Sequence, residues 1–422
     1  MFFTAIRKKH LVPVLLAAVF VSAFSGCSAS ENDGSVRPPP SQVSSAQPTP
    51  EIPPETSVSP SPPAESSPVE SEPAATPEAT MPPELTLEEK ILSEMTLEDK
   101  VGQMILADCP SYDAEEIVRE YAPGGYLMFA TFFRDLSPDE AKKKIADIQS
   151  ASAIPMFIAV DEEGGTVNRV SLFPQYRAAA FQSPRTLFST GGFELIESDA
   201  VEKSRLLLSL GINLNLSPVC DISGEANDFI YKRAMSGDPD EVASFAELVV
   251  TVMREQGIGS ALKHFPGYGN NGDTHTQTVH DKREYGTFLE RDFLPFIAGI
   301  NAGANCVLVS HNIVECMDPE YPASLSTKVN RILRDYIGFD GVVMTDSLSM
   351  DAVAPYSEDT HVAVLAIEAG NDLICCSDIT DVIPAVLDAV MSGRIPEDRI
   401  DASVLRILRM KMELGLIDNI ES

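Results

Sequence analysis

Positive charge is scarce in this chain. Thirty-one Lys and Arg stand against 63 Asp and Glu in 422 residues, a formal net charge of -32. A surface of that sign repels phosphate backbones, which argues against nucleic acid as a partner, and it disfavours docking on anionic lipid head groups. Its ordinary effect is solubility. Also missing is CxxC spacing among the seven cysteines, and no His/Cys cluster has the spacing of a zinc site. Neither a disulfide framework nor a structural metal is therefore expected, and no cofactor. Cys109, Cys220, Cys306, Cys375 and Cys376 lie in or beside apolar runs, as small buried residues do. Adjacent Cys375 and Cys376 would point to opposite faces of a strand, which speaks against a shared ion.

Proline is abundant, 31 residues against 25 Gly, and unevenly spread. Residues 1–27 read as an export signal: Arg7, Lys8 and Lys9, an apolar run from Leu11 to Phe24, then Ser25-Gly26-Cys27. The end of this segment resembles the lipobox of bacterial lipoproteins, with Phe24 where leucine is usual. The resemblance implies cleavage before Cys27, acylation of its thiol, and anchoring to the outer face of the cell membrane. An uncleaved transmembrane anchor is the alternative, although the run is short of the roughly 20 residues a span needs. Either way the rest of the chain lies outside the cytoplasm. Residues 28–83 are Pro, Ser, Glu, Thr and Ala with almost no large apolar side chains. Such a segment cannot bury enough surface to offset its ordering entropy, so it is expected to be a disordered, extended tether.

Residues 84–422 alternate short apolar runs with amphipathic stretches. Strands are expected at Val101–Asp108, Gly125–Ala130, Pro155–Asp161, Asn213–Asp221, Ser260–His264, Cys306–His311, Gly341–Asp346 and Asp372–Cys376. Several are nearly continuous apolar runs, as parallel strands covered on both faces are. Helices are expected at Ser137–Ala151, Phe193–Leu210, Asp240–Gln256, Phe288–Ala302, Ser326–Tyr336 and Glu358–Ala369. Eight β-then-α units predict a single (β/α)₈ barrel domain. An open doubly wound sheet is the structural alternative.

Where the polar residues fall carries the functional reading. Asp161, Asp221, Lys263-His264, His311 and Asp346 each end a different expected strand. In a barrel those ends share one rim, where active sites are assembled from several strands. Helix capping alone accounts poorly for five strands ending in this way.

Four motifs occur in order: Ile158-Ala-Val-Asp-Glu-Glu-Gly-Gly165 with Arg169, Lys263-His-Phe-Pro-Gly267, Asp273-Thr-His275, and Gly338-Phe-Asp-Gly-Val-Val-Met-Thr-Asp346. Together they resemble glycoside hydrolase family three, in its β-N-acetylglucosaminidase (β-hexosaminidase) branch. The resemblance runs from Leu87 to the Arg406–Lys411 stretch. It implies a retaining, exo-acting glycosidase that removes terminal β-linked N-acetylglucosamine from peptidoglycan fragments or chitin-type oligosaccharides. Retention needs a nucleophile on one face of the anomeric carbon and an acid/base on the other. The resemblance implies Asp346 as nucleophile and the pair His275 and Asp273 as acid/base and its orienting carboxylate. An imidazolium can protonate the leaving oxygen, and the neutral ring can then activate water. Asp161 resembles the aspartate that accepts from sugar hydroxyls. Arg169, Arg233, Lys263 and His264 resemble the basic residues that donate to them. Gly267, Gly269 and Gly272 fall in the loop Phe265–Asp281, which is expected to close over the sugar. His311 is expected to face the pocket without an assigned role. Asp221 either orients Lys263 or caps the following loop.

The chain departs from that branch in three places. Tyr268 stands where His is usual, the stretch from His264 to Asp273 is about two residues shorter, and Ser347 follows Asp346 where a second Asp is common. A β-glucosidase or xylosidase of the same family is an alternative, although those enzymes carry a second domain for which the chain leaves no room. Phosphorolysis in place of hydrolysis is another. A catalytically silent sugar-binding lipoprotein is the alternative from a different class. A monomer is expected.

Overall fold

The computed structural model describes residues 85–358 and 360–417. The export segment 1–27 with Cys27 and the tether 28–83 lie outside the described residues. No helix among the described residues is long and apolar enough to cross a membrane.

Eight parallel strands form one sheet: β1 (Ile105–Asp108), β2 (Gly125–Met128), β3 (Phe157–Val160), β4 (Leu214–Asn215), β5 (Gly259–Phe265), β6 (Cys306–Val309), β7 (Val342–Thr345) and β8 (Ile374–Cys376). Their order is β8-β1-β2-β3-β4-β5-β6-β7. The seam between β7 and β8 is narrow but made: Met344 bridges Leu373, Thr345 N donates to Leu373 O, and Leu373 N donates to Val343 O. Every strand thus has neighbours on both sides, which is a (β/α)₈ barrel and excludes the open sheet. The strands are almost wholly buried, from Ile105 and Leu106 through Val342 and Met344. Burial on both faces explains why they read as unbroken apolar runs.

The helices begin where local chemistry starts them. Pro138–Ser150 opens on a Ser137/Glu140 capping box with Pro138 in its first turn. Pro239–Gln256 opens on Asp238, which accepts from the backbone of Asp240 and Glu241, and closes on Gly257 at φ 80°. Pro184–Ser209 is interrupted at Gly192 (φ 64°, ψ -155°), so the helix expected from Phe193 is its second half.

Three expected boundaries are corrected. The strand expected from Val101 begins only at Ile105, because a Thr96/Asp99 capping box starts a helix at Leu97–Gln103. That helix buries Val101, so its apolar residues run on without a break into β1. The strand expected over Asn213–Asp221 forms a regular ladder only at Leu214–Asn215; Pro218 has no N–H to give, and pairing resumes as a single bridge between Val219 and Lys263. Side-chain amides reinforce the seam with β3: Asn213 accepts from Ile158 N and donates to Met156 O, and Asn215 accepts from Glu162 N and donates to Glu162 O. The last helix expected from Glu358 starts at Val362, where the His361 ring accepts from Ala363 N.

Candidate active site

At the C-terminal ends of the strands lies a hollow of about 630 Å³. Asp161, Arg169, Arg233, Lys263, His264, Asp273, His275 and Asp346 all line it. Every residue expected to act on the sugar is therefore brought to one place, together with Asp108, Glu163 and an apolar wall of Leu127, Phe129, Phe229, Leu308 and Met350.

Its floor is a charge network carried by β3 and β5. Lys263 Nζ is held by Asp161 Oδ1 and Glu163 Oε1, both at 2.6 Å. Glu163 also takes a two-pronged contact from Arg233, Nε at 2.9 Å and Nη2 at 2.7 Å. Lys263 is 2% exposed, and a buried ammonium without such partners would be strongly unfavourable. Burial alone would push Glu163 up, but the Arg233 and Lys263 charges outweigh it and hold its carboxyl far below the usual range. Glu163 is a site residue inside the first motif to which the sequence alone assigns no role. A charge between Glu162 and Gly164 has no pattern of its own in one sequence. Its backbone carbonyl is fixed by Lys203 Nζ at 3.1 Å, which ties the site to the long helix behind it.

Glu162 shapes the loop that follows. Its carboxylate accepts from the backbone N–H groups of Arg169, Val170 and Ser171 and from the Ser171 hydroxyl. The chain folds back, and Arg169 Nη2 comes to 3.6 Å from Asp161 Oδ2 while its Nε is buried without a partner among the described residues.

On β5 the register against β6 slips between Lys263 and Phe265. This irregularity presents both Lys263 and His264 to the hollow. His264 Nε2 meets the Arg233 donor at 3.0 Å and Nδ1 meets Asp221 Oδ2 at 2.6 Å. Since a guanidinium can only donate, Nε2 accepts and Nδ1 carries the proton. Asp221 therefore orients His264, and Lys263 takes its partners elsewhere. Asp221 Oδ1 also accepts from Tyr268 N at 2.7 Å.

Asp346 follows β7. Its backbone N–H donates to Val309 O, and its Oδ1 accepts from Ser347 N at 2.8 Å. Burial raises its carboxyl, yet the imidazoles of His311, His264 and His275 and the Ser347 N–H prevail, leaving it below the usual aspartate value. His311 does not face the hollow, contrary to expectation. It is fully buried behind Asp346, Nδ1 on Ser324 Oγ at 2.7 Å and Nε2 on Ser347 O at 2.9 Å, and burial lowers its proton affinity. A neutral ring that donates from Nε2 to the carbonyl fits both contacts and props the backbone beside Asp346.

The Asp273–His275 pair sits on the loop after β5. Asp273 Oδ1 accepts from His275 N at 3.0 Å and from Nδ1 at 2.7 Å. Nε2 has no partner among the described residues, and the side chain is 57% exposed. The loop leaves the barrel through Gly267 (φ 124°) and Gly269 (φ 59°), where a Cβ would strike Asp292 and Arg283. Tyr268, at the unusual position, is buried, with its hydroxyl 2.6 Å from Thr274 Oγ1 and accepting from Thr274 N at 3.1 Å. Thr274 lies directly between Asp273 and His275, so the phenol pins the pair. Its ring packs edge-on to His264.

The glycosyl hydrolase family 3 N terminal domain matches residues 96–410 of this chain. A beta-hexosaminidase of Xanthomonas campestris pv. campestris (strain B100) is 35% identical over 236 residues, covering 55% of this chain and 70% of that protein. Among solved structures, a glycoside hydrolase family 3 beta-N-acetylglucosaminidase from Paenibacillus sp. str. FPU-7 superposes with a TM-score of 0.71 at 30% identity. That alignment covers 78% of this chain and 64% of the Paenibacillus chain, so this chain spans a little under two thirds of that relative. A family 3 glycosyl hydrolase from Mycobacterium smegmatis str. MC2 155 has a TM-score of 0.68 at 28% identity, over 76% of this chain and 98% of that one.

Proposed function

The chain belongs to glycosyl hydrolase family 3, and from that premise we propose that it is a retaining, exo-acting β-N-acetylhexosaminidase that releases terminal N-acetylglucosamine. One observation carries the reading: the Asp346 carboxylate and the Asp273–His275 pair open into the same sugar-sized hollow, above a preorganised floor of Asp161, Glu163, Arg233 and Lys263. The low proton affinity of Asp346 keeps it ionised at neutral pH, as a nucleophile must be. It attacks the anomeric carbon while the protonated His275 ring gives its proton to the departing glycosidic oxygen. A glycosyl ester on Asp346 results, and the leaving sugar departs with a free hydroxyl. His275, now neutral, takes a proton from water, whose oxygen attacks the anomeric carbon and frees the Asp346 carboxylate. Asp273 fixes the ring and balances its charge when protonated. Arg169, Arg233 and Lys263 donate to the sugar hydroxyls and Asp161 accepts from them, while His264, whose Nδ1 proton goes to Asp221 and whose Nε2 accepts from Arg233, steadies Arg233 in place of donating itself.

The test is turnover of aryl N-acetyl-β-glucosaminide against aryl β-glucoside by the mature protein. Preference for the acetamido sugar, rates unaltered by added phosphate, and loss of turnover in Asp346→Ala with ligand binding retained are expected. Preference for the glucoside would overturn the specificity, phosphate dependence would overturn hydrolysis, and full activity in Asp346→Ala would remove the nucleophile.

The location proposed for this enzyme is the outer face of the cell membrane, held through an acylated Cys27 and the 28–83 tether, as a monomer without nucleic-acid partners. The basic, apolar and small-residue order of residues 1–27 supports the anchor, and cell-wall fragments are the substrate within reach of it. Labelled fatty acid should enter the wild-type protein and not Cys27→Ala; equal labelling of both would refute the anchor. A single sedimenting species with the mass of one mature chain, below the 45.6 kDa of the uncleaved chain, is expected of a monomer, and twice that mass would refute it.

A further inference from the structure

Almost every acidic side chain that faces the hollow has a partner within the protein. Asp161 holds Lys263 and Arg169, Glu163 holds Lys263 and Arg233, Asp273 holds His275, and Asp346 accepts from Ser347 N. Asp108 is the exception. It ends β1 and lines the hollow, yet its carboxyl has no hydrogen bond or ion pair among the described residues, and its Oδ1 is shut off from solvent with no donor. An ionised carboxylate can only accept, so a partly buried one without a donor is left costly.

Its neighbours on that side offer a ligand little else. Leu127, beside Asp108 in the β1–β2 register, Phe129 and Cys375 line the adjoining wall. Burial drives the Cys375 thiol far up, so it stays protonated and is a weak partner at best. Burial, and then the charge on Asp161, push the Asp108 carboxyl up to about 6. The group is still largely ionised at neutral pH and lacks a donor.

We propose that Asp108 is a specificity-determining residue that accepts a hydrogen bond from one hydroxyl of the sugar bound in the hollow. The inference rests on the glycosidase reading given above. It adds a contact on the β1 side, away from the Lys263 and Arg233 floor, and a donor that the protein itself does not supply.

The experiment pairs substrate and protein changes. Aryl N-acetyl-β-glucosaminides lacking the hydroxyl at C3, C4 or C6 are compared with the parent substrate on wild type, Asp108→Asn and Asp108→Ala. At one position the wild type should lose roughly 10- to 100-fold in kcat/KM, the worth of a hydrogen bond to a charged group. Asp108→Ala should lose little more when the same hydroxyl is removed. Equal losses in wild type and variants at all three positions would overturn the proposal. Because the carboxyl has no partner to forfeit, both variants should melt at or above the wild-type temperature. A marked fall in melting temperature would overturn it too, by making Asp108 a structural residue. If wild type fails to cleave the parent substrate, the enzymatic reading itself has failed, and the two failures are told apart.

Discussion

Replacing Glu163 by Gln isolates what one buried charge does for this site. The carboxylate neutralises Lys263 and Arg233 at 2.6 and 2.7 Å, and both it and Lys263 are almost fully enclosed. Removing one member of such a buried set costs about 3–5 kcal/mol, because the partner charges are left uncompensated. Gln keeps the shape and one acceptor, so the lower end, about 3 kcal/mol, is expected. For a domain of this size, with an unfolding entropy of about 2.1 cal/mol/K per residue, that is a melting shift of about 4 °C. The sign with pH follows from the direction of the Glu163 shift. Its carboxyl is held far below its unfolded value of 4.5, so its stabilisation is complete above about 4.5 and fades as the pH falls below it. Gln does not titrate there. Thermal melting from pH 7 down to pH 3 should therefore show a constant gap between wild type and Glu163→Gln above pH 5 that narrows in acid. In kinetics, the floor of three cations (Arg169, Arg233, Lys263) and two anions (Asp161, Glu163) would move from one to two net positive charges. Lys263 and Arg233 would lose their common anchor, and kcat/KM should fall about 100-fold, a loss of about 3 kcal/mol in transition-state binding. Equal melting temperatures at pH 7 together with unchanged kcat/KM would refute the reasoning, since no buried ion set could then be present.

Other variants probe other layers. Lys411 is fully buried, its ammonium 2.5 Å from Gln103 Oε1, and burial pulls its proton affinity down to about 7. The gap to 10.5 in the unfolded chain corresponds to about 5 kcal/mol of penalty below pH 7 that disappears as pH rises to 10.5. Lys411→Met, after about 1–3 kcal/mol lost by orphaning Gln103, should thus melt higher than wild type at pH 6 and lose that advantage by pH 10. Lower stability at pH 6 would disprove it. Tyr268→Phe deletes the hydroxyl that holds Thr274, and kcat should fall about 10-fold with KM little changed, from about 1–3 kcal/mol of lost ordering. A change in KM alone would assign Tyr268 to binding instead. His311→Phe leaves Ser347 O without its donor, and should reduce kcat while aryl substrate still binds; wild-type kcat would show that Asp346 needs no support from behind.

The barrel was legible because each strand is buried on both sides, and an apolar run as short as Cys306–Val309 suits a covered strand better than a buried helix. Boundaries blurred where two elements were apolar in succession, as with Leu97–Gln103 and β1, and where a regular ladder broke around a proline, as at Pro218 between Asn215 and the Val219–Lys263 bridge. Residues at strand ends were legible as a rim, and Asp161, Lys263, His264 and Asp346 all reached the hollow. Residues that act on other residues were not. Glu163 and His311 owe their places to partners dozens of positions away, Arg233 and Ser347 among them, and no spacing along the chain encodes such pairings. Asp108 was hidden for the opposite reason. As the last letter of an apolar run it looked like a strand end, and only its lack of a partner among the described residues sets it apart.

The two asparagines beside β3 and β4 restrict what can stand there by polarity as well as by size. Each amide gives a proton to one main-chain oxygen and receives one from a main-chain nitrogen, and Asn215 does both on Glu162. An aspartate, identical in outline, would turn an oxygen toward an oxygen. Asn215→Asp should therefore loosen the peptide that separates Asp161 from Glu163, visible as faster deuterium uptake at the Glu162 amide, and unaltered uptake would dismiss the idea. Conversion of that one amide to an acid, a common chemical event as proteins age, would turn this stitch into a point of repulsion beneath the sugar.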